Sequence, residues 1–482
     1  MGLVTPVEPV PVSELGTVHF VGIGGAGMSG IARIMLADGI PVSGSDSASS
    51  PQLSELAALG AQVTVGHSSE SLGEADTLVV SSAIRPDNPE LVEARRRGLR
   101  VLHRAAALAS VMLGRQGIAV AGTHGKTTTT SMITSVLRHC GADPSYVIGG
   151  ILAGTGLGAD HGAGAAFVVE ADESDGSFLM LSPDAAVVTC VEADHLDNYA
   201  DLAQIEAVFL AFTRKIADGG LLVACADDGG ARELARRAAA DRGRGLRVMT
   251  YGTAADADYQ LSDVAPRGMS TGLTVTAGPG AQARDAGPVA VEIAVPGQHN
   301  ALNAAAAYTL AAELGFAPGQ VAAGLAAYGG ARRRMELKGE ADGVRVVDSY
   351  AHHPTELAAD LAAARDVVAG GQVIALFQPH LFSRTRIFAA EFGAVLGQAD
   401  EVLVLDIYAA REDPEPGVTG RLVAEAVPGG RAQFLPDGAS APAIVASLAK
   451  PGDLVLTMGA GDVTVLGPLI VAELRLRAGE QA

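Results

Sequence analysis

At 482 residues the chain is too long for one ordinary core, and two to four domains are expected. An apolar content of 48% with 18% charged residues describes a soluble globular protein, and a net charge of −20 argues against a nucleic-acid or other polyanion partner. No tryptophan and 4% aromatics leave no stacking surface for single strands. Cys140, Cys190 and Cys225 lack metal-ligand spacing and suit a reducing compartment. Met1 to Val18 has neither a basic start nor a long apolar core, so no signal peptide is predicted. No uncharged run approaches the roughly 18 residues of a membrane span. A cytoplasmic protein is expected.

After a proline-bearing lead-in, Val18 to Ile23 reads as a buried strand, and the glycine turn from Gly22 to Gly30 leads into a helix over Gly30 to Ala37. The turn holds Gly24, Gly25, Ala26, Gly27, Met28 and Ser29, and contains G-x-G-x-x-G. Asp46 ends the next strand, about 20 residues on, where a ribose partner is expected. Such a turn recognises a pyrophosphate and does not by itself choose between NAD and another nucleotide diphosphate. Ser82 follows a strand over Thr77 to Ser81, at the edge where such sheets place ligands. Residues 1–112 are predicted to form one Rossmann-like domain.

The second domain, 113–328, carries Gly122-Thr123-His124-Gly125-Lys126-Thr127-Thr128-Thr129 between the apolar run Ile118 to Ala121 and a helical segment, Thr128 to His139. Strand, glycine turn, Lys-Thr and helix make a triphosphate pocket: the backbone amides face phosphate, Lys126 reaches the β- and γ-phosphates, and the Thr127 hydroxyl holds Mg²⁺. The strict spacing asks for a glycine where Val120 stands, so the loop is a shortened variant. A chance lysine beside a glycine turn is the bland alternative, but lysine is scarce, at Lys126, Lys215, Lys338 and Lys450 alone. Glu170 ends the strand Ala166 to Glu170, where an acid grips Mg²⁺ in such folds; a solvated acidic loop is the alternative. His195 follows the strand Ala186 to Val191, but imidazole is an uncommon Mg²⁺ ligand, and a hydrogen-bonding role fits as well. Asp228 to Arg247 reads as a surface helix and Thr276 to Gly287 as a loop. Asn300 and Asn303 share a face in the first turn of an alanine-rich helix, where they either cap it or meet a base or sugar.

The third domain, 329–482, carries Arg332-Arg333-Arg334 at its junction, a solvated run or a phosphate clamp. Strands then lead to Asp348, Tyr350 and His352 in DSYAHHPTE, with Pro354 starting a helix, and to Arg384 in QPHLFSRT. Polar clusters again fall at the carboxyl ends of strands, as in a doubly wound sheet. The expected fold class is therefore α/β with three consecutive domains: N-terminal Rossmann-like, central P-loop ATPase-like, and C-terminal Rossmann-like.

Taken together, GIGGAGMSG, GTHGKTTTT, EADESD, EADHLDNY, GQHNALNA, RRRME, DSYAHHPTE and FQPH with its following SRT resemble the Mur ligase family over about residues 17–470. The resemblance implies ATP-dependent ligation of L-alanine to the lactyl carboxylate of UDP-N-acetylmuramate through an acyl phosphate, in peptidoglycan synthesis. It implies UDP-sugar binding by Gly24, Gly25, Ala26, Gly27, Met28, Ser29, Asp46 and Ser82. ATP would be bound by the loop Gly122 to Thr128 with Asn300, Arg334 and Asp348, and Mg²⁺ by Thr127, Glu170 and His195. Tyr350, His352 and Arg384 would bind the amino acid, and Lys126, His195, Asn300, Arg334 and His352 would act in catalysis, His352 as a candidate base. Leu381 stands where many members have arginine, which leaves Arg384 as the main guanidinium for the carboxylate. Ligands spread over three domains predict closure around them. The nearest alternative is the related ligase that attaches a tripeptide to the same sugar nucleotide during wall recycling. Folate-polyglutamate ligases leave the first domain unexplained, a nucleotide sensor would not need Lys126, Glu170 and His195 together, and a dehydrogenase leaves the central loop without purpose. The sequence leaves open whether the protein is a monomer or a homodimer.

Overall fold

The computed structural model describes residues 3–195, 198–368, 370–410 and 412–479. Three sheets form in sequence. The first interleaves β1 (Val18–Val21), α1 (Ala26–Ala37), β2 (Val42–Asp46), α2 (Pro51–Ala58), β3 (Gln62–Val65), β4 (Thr77–Val80), α3 (Pro89–Arg97), β5 (Arg100–His103) and α4 (Arg104–Met112). Its strands lie in the order β3-β2-β1-β4-β5, all parallel, and β1 is buried along its whole length. That is why Val-His-Phe-Val carries no alternation: a central parallel strand is covered on both faces. The helix starts four residues earlier than the glycine pattern predicts, at Ala26, which puts Gly27 and Met28 in its first turn.

The second sheet begins with β6 (Gln116–Ala121), α5 (Lys126–His139), β7 (Ser145–Leu152), β8 (Leu157–Asp160), β9 (Ala166–Glu170) and β10 (Ala185–Val188). It continues through α6 (Leu202–Thr213), β11 (Leu221–Cys225), α7 (Gly229–Ala240), β12 (Arg247–Gly252), β13 (Tyr259–Arg267), β14 (Ser270–Ala277), β15 (Val289–Ile293), α8 (Gln298–Glu313) and α9 (Pro318–Ala326). Its ten strands run β15-β14-β13-β12-β11-β10-β6-β9-β7-β8, with β6 between the acid-bearing β9 and β10. The surface helix expected to Arg247 ends at Ala240, and Arg247 instead opens a strand.

The third sheet holds β16 (Glu336–Ala341), β17 (Val344–Ser349), α10 (Pro354–Val368), β18 (Val373–Phe377), α11 (Phe382–Leu396), β19 (Glu401–Leu405), α12 (Arg421–Ala426), β20 (Ala432–Leu435), α13 (Ala441–Leu448), β21 (Leu454–Met458) and α14 (Leu466–Arg477). The order is β16-β17-β21-β18-β19-β20, with only β16 antiparallel among the registers described. One core packs Leu357, Leu361, Phe377 and Phe392 on one face, and another packs Ile374, Leu376, Val455 and Ile470 on the other.

The three sheets draw on residues 18–103, 116–293 and 336–458, and packing groups the chain differently. One compact unit comprises Met1–Ser262, Thr274–Val291 and Leu302–Tyr328; the other comprises Asp263–Leu273, Glu292–Ala301 and Gly329–Ala482. Close approach explains why the first two sheets share a unit. A Cβ on Gly30 of α1 would lie 2.9 Å from Ala159 Cβ of β8 and 3.3 Å from Val147 Cγ1 of β7.

Candidate functional site

The phosphate loop leaves β6 at Gly122 and enters α5 at Lys126. Both of its glycines are required. Gly122 has φ +135° and a Cβ there would lie 2.0 Å from Thr189 Oγ1; Gly125 has φ +80° and its Cβ would lie 2.6 Å from Asn303 Oδ1. The loop is pinned from the adjoining strand end: Thr123 N donates to the Cys190 carbonyl at 3.0 Å, His124 N to Cys190 Sγ at 3.2 Å, and Thr189 Oγ1 to the His124 carbonyl at 2.5 Å. Lys126 folds over this loop. Its Nζ donates to the carbonyls of Gly122 (2.7 Å) and Thr123 (3.1 Å) and to Glu173 Oε1 (2.8 Å). Burial alone would lower the Lys126 pKa, but the carboxylates of Glu173 and Glu170 outweigh it and hold it raised. The group is a fixed ammonium.

Thr127 Oγ1 lies 3.2 Å from Glu170 Oε1, and Gly149 N donates to Glu170 Oε2 at 2.9 Å. A Cβ on Gly149 would lie 2.7 Å from that carboxylate, so only glycine lets the acid stand where it does. A hydroxyl and a carboxylate side by side are hard oxygen donors of the kind Mg²⁺ takes. The third expected ligand is His195. Its backbone is at φ +53°, and its Nε2 lies 3.5 Å from Glu173 Oε1 and 3.6 Å from Asp194 Oδ2. Burial lowers its pKa, but Glu173 and Asp194 outweigh it, leaving the imidazole raised. No cluster of three His, Cys, Asp or Glu with metal-holding geometry occurs among the described residues. Leu196 and Asp197 of the EADHLDNY motif lie outside them.

Glu173 is the residue sequence reasoning missed. It is buried, it receives Lys126, it faces His195, and its carbonyl accepts the Tyr199 hydroxyl. The signal was present in EADESD, where Glu173 lies three residues beyond the strand end. The same segment meets the first domain: Arg104 Nη2 donates to Asp172 Oδ2 at 2.5 Å, and Ser82 Oγ to Asp175 Oδ2 at 2.6 Å. Burial would raise the Asp172 pKa, but Arg104 and Lys126 reverse this and hold it well below the usual range.

At the N-terminal turn, Asp46 is brought to the glycines as expected, but its Oδ2 accepts from Gly24 N at 2.9 Å. Ala26, Gly27 and Met28 open α1, and their amides have no acceptor within the helix. Ser29 Oγ donates back to the Ala26 carbonyl at 3.2 Å.

In α8, Asn300 is buried and its Nδ2 donates to the Pro296 carbonyl at 2.7 Å, while Asn303 Oδ1 accepts from Thr129 Oγ1 at 3.1 Å. Asn303 thus sits directly against the phosphate loop. In the second unit Asp348 is fully buried. Thr457 Oγ1 (2.6 Å) and Thr464 Oγ1 (2.7 Å) donate to it, with Arg333 Nε at 3.3 Å. Arg333 and Arg334 place their guanidinium carbons 4.9 and 5.2 Å from the Tyr350 ring centre. The Tyr350 and His352 rings lie 5.3 Å apart. His352 Nδ1 is 3.0 Å from the Tyr350 carbonyl, which can only accept, so Nδ1 carries the proton and Nε2 the lone pair. Burial pushes His352 down to about 3, Arg384 adding to this and Glu356 opposing it. Arg384 is itself buried in α11. Leu381 caps that helix at φ +69°, a strained conformation for a branched side chain, and is buried. Tyr350, His352 and Arg384 are therefore neighbours, as expected, but an imidazole held at about 3 is a weak proton acceptor.

A parallel sheet ending in a glycine loop with Lys-Thr, beside an acid on the adjoining strand, defines a P-loop α/β protein built to grip a nucleoside triphosphate. The chain belongs to the Mur ligase family: residues 17–116 match its catalytic domain, 120–311 its middle domain and 333–461 the glutamate ligase domain. It is 58% identical over 482 residues to the UDP-N-acetylmuramate–L-alanine ligase of Thermobifida fusca, covering 98% of this chain and all of that one. The crystal structure of the UDP-N-acetylmuramate–alanine ligase of Thermotoga maritima superposes with a TM-score of 0.79 at 27% identity, over 96% of this chain and 100% of that one. A murein peptide ligase from Psychrobacter arcticus shares the fold, with a TM-score of 0.69 at 24% identity over 95% and 98% of the two chains.

Proposed function

We propose that this protein uses ATP to join L-alanine to the lactyl carboxylate of UDP-N-acetylmuramate, releasing ADP and phosphate, as a cytoplasmic step of peptidoglycan precursor synthesis. The observation that carries the reading is the Lys126 ammonium, held over the phosphate loop by two carbonyls and Glu173, in a chain that shares more than half its residues with an alanine-adding relative along its full length. No helix among the described residues is long and apolar enough to cross a membrane.

The chemistry must bring a carboxylate against a triphosphate. Lys126 offsets the charge that builds on the transferring phosphoryl group, and the amides opening α5 hold its oxygens. Thr127 and Glu170 would hold Mg²⁺, which when bound neutralises phosphate charge. His195 braces Glu173 and Asp194, a positioning role that the pair distances support. Arg334 is the proposed phosphate contact of the second unit. The lactyl carboxylate attacks the γ-phosphorus and ADP leaves. The alanine amine then attacks the acyl carbon of the acyl phosphate so formed, the carbon becomes tetrahedral, and phosphate leaves. His352, held neutral near 3, orients the amine through its Nε2 lone pair, and the departing phosphate takes the proton. Tyr350 and Arg384 border the same place.

Phosphate release from ATP, measured with UDP-N-acetylmuramate and no amino acid, L-alanine, glycine or the tripeptide, tests this reading. Release should require the sugar nucleotide and be strongest with L-alanine. Preference for the tripeptide would transfer the protein to wall recycling, a reading the relatives do not favour.

A further inference from the structure

The first domain contains a buried polar network that the proposed reaction does not use. Glu90, in the first turn of α3, is 0% exposed, as is Ser45 of β2, and His19 of β1 is 1% exposed. Ser45 Oγ donates to Glu90 Oε2 at 2.7 Å, and Ser68 N donates to Glu90 Oε1 at 3.2 Å. His19 Nε2 stands 3.4 Å from Oε2 and His67 Nδ1 3.5 Å from Oε1. Burial would raise the Glu90 pKa, but His19 and Ser45 outweigh it, so the group is a buried carboxylate. Such a group is costly unless its partners are in place, which makes the network stiff.

What the network stiffens is the glycine turn. Ser45 lends its carbonyl to two amides of that turn, Gly22 N at 2.8 Å and Ile23 N at 3.0 Å. The next residue, Asp46, takes the third, Gly24 N. Three successive amides thus anchor the turn to the end of β2, where strand pairing is running out, and the amides of Ala26, Gly27 and Met28 are aimed by that anchorage. We propose that Glu90 is a positioning residue for the sugar nucleotide: by clamping Ser45 it fixes the turn whose helix mouth receives the diphosphate. This rests on the assignment of that turn as the UDP-sugar site.

The test uses the full-length protein and four variants. In Glu90→Gln and Ser45→Ala, KM for UDP-N-acetylmuramate should rise roughly tenfold, the scale of one lost charge-assisted hydrogen bond. KM for ATP and for L-alanine, and kcat, should hold within about twofold. The double variant should do no more than either single one, since both cut one chain of contacts. Equal changes in every parameter, or a lower melting temperature with all KM values unchanged, would overturn the inference and leave a structural cross-link. If Glu90→Gln does not fold, Ser45→Ala decides, because it keeps the backbone carbonyl. Gly27→Val tests the assignment itself; the Cβ it adds meets only the flexible end of Arg104, at 3.1 Å. If Gly27→Val leaves KM for the sugar nucleotide unchanged, the site is elsewhere. If Gly27→Val raises it and the other two do not, the site stands and Glu90 has no part in it.

Discussion

The phosphate-loop region of the first unit and the histidine-rich end of the third sheet treat buried ionisable groups in opposite ways. Around Lys126 neighbouring charge outweighs burial at three groups: Glu173 and Glu170 keep the ammonium, Arg104 and Lys126 keep the Asp172 carboxylate, and Glu173 and Asp194 raise His195. Around His352 burial wins. His352 is pushed to about 3, His299 to about 4, and Asp360 is raised to about 7. A region that must balance a triphosphate needs fixed charge of both signs. One that must receive an amine as a nucleophile gains from surroundings that favour neutral forms, because a protonated amine has no lone pair to give. The difference between the two regions therefore parallels the two halves of the proposed reaction.

The largest effect should come from removing the fixed cation. Lys126→Ala is expected to lower kcat by about 10³-fold while leaving binding of UDP-N-acetylmuramate intact, as measured by phosphate release and by direct titration. Retention of more than a tenth of kcat would mean that charge at the loop is not what drives the phosphoryl step. Glu173→Gln should act through Lys126 and His195 together. A loss of about 10- to 100-fold in kcat is expected, from one buried charged contact, and pairing it with Lys126→Ala should add little further loss.

On the neutral side, His352→Gln separates orientation from proton transfer. If the imidazole only orients the amine, kcat/KM for L-alanine should fall about tenfold or less and its pH profile should keep its shape. A general base would cost about 10²–10⁴-fold and remove an acid limb from the profile. That larger loss would contradict the assignment of the proton to the departing phosphate.

Much of the charged region was legible because its residues sit at strand ends in chain order. Lys126 and Thr127 follow β6, and Glu170 closes β9, so strand and loop patterns were enough. Glu173 was not legible as a partner of Lys126, since the two lie 47 residues apart and meet only when β6 and β9 pair. The same limit hid the role of Asp46, whose carboxylate holds a protein amide at the position where a ribose was expected. In the fold, the βα alternation could be read from apolar runs, but the β7–β8 hairpin and the strands β13 to β15 could not. Their burial alternates or is partial, without the continuous apolar run that marks a central strand. The neutral region was the least legible, because burial and the net balance of neighbouring charges decide whether a histidine or an aspartate ionises, and neither is local.

The smallest prediction concerns that balance. Asp360 Oδ2 accepts the Ser349 hydroxyl, which in turn accepts from Ala351 N at 3.0 Å, while His299 Nε2 stands 3.5 Å from Oδ1. Burial raises Asp360 to about 7, Glu356 adding to this while Ser349 and Arg334 oppose it; burial likewise lowers His299 to about 4, with Arg334 adding and Glu356 opposing. Between the ordinary carboxylate range and pH 7 the folded Asp360 holds a proton that the unfolded chain has lost. Its contribution is thus fully present at low pH and disappears as pH rises through about 7. His299 does the reverse: below its ordinary value the unfolded chain takes a proton that the folded one refuses, so its contribution is lost as pH falls toward 4. The two oppose each other across pH 4 to 6.5. Asp360→Asn removes only the first. Relative to the parent, the variant should gain local stability as pH rises from 5 to 7, by at most about 1.4 kcal/mol per pH unit, and then level off. Amide exchange along β17, compared between variant and parent at each pH, reads this locally, where a chain with several domains would blur a global melt. Exchange curves that run parallel from pH 5 to 8 would mean that Asp360 is ionised in the folded protein, and that this region carries charge much as the phosphate loop does.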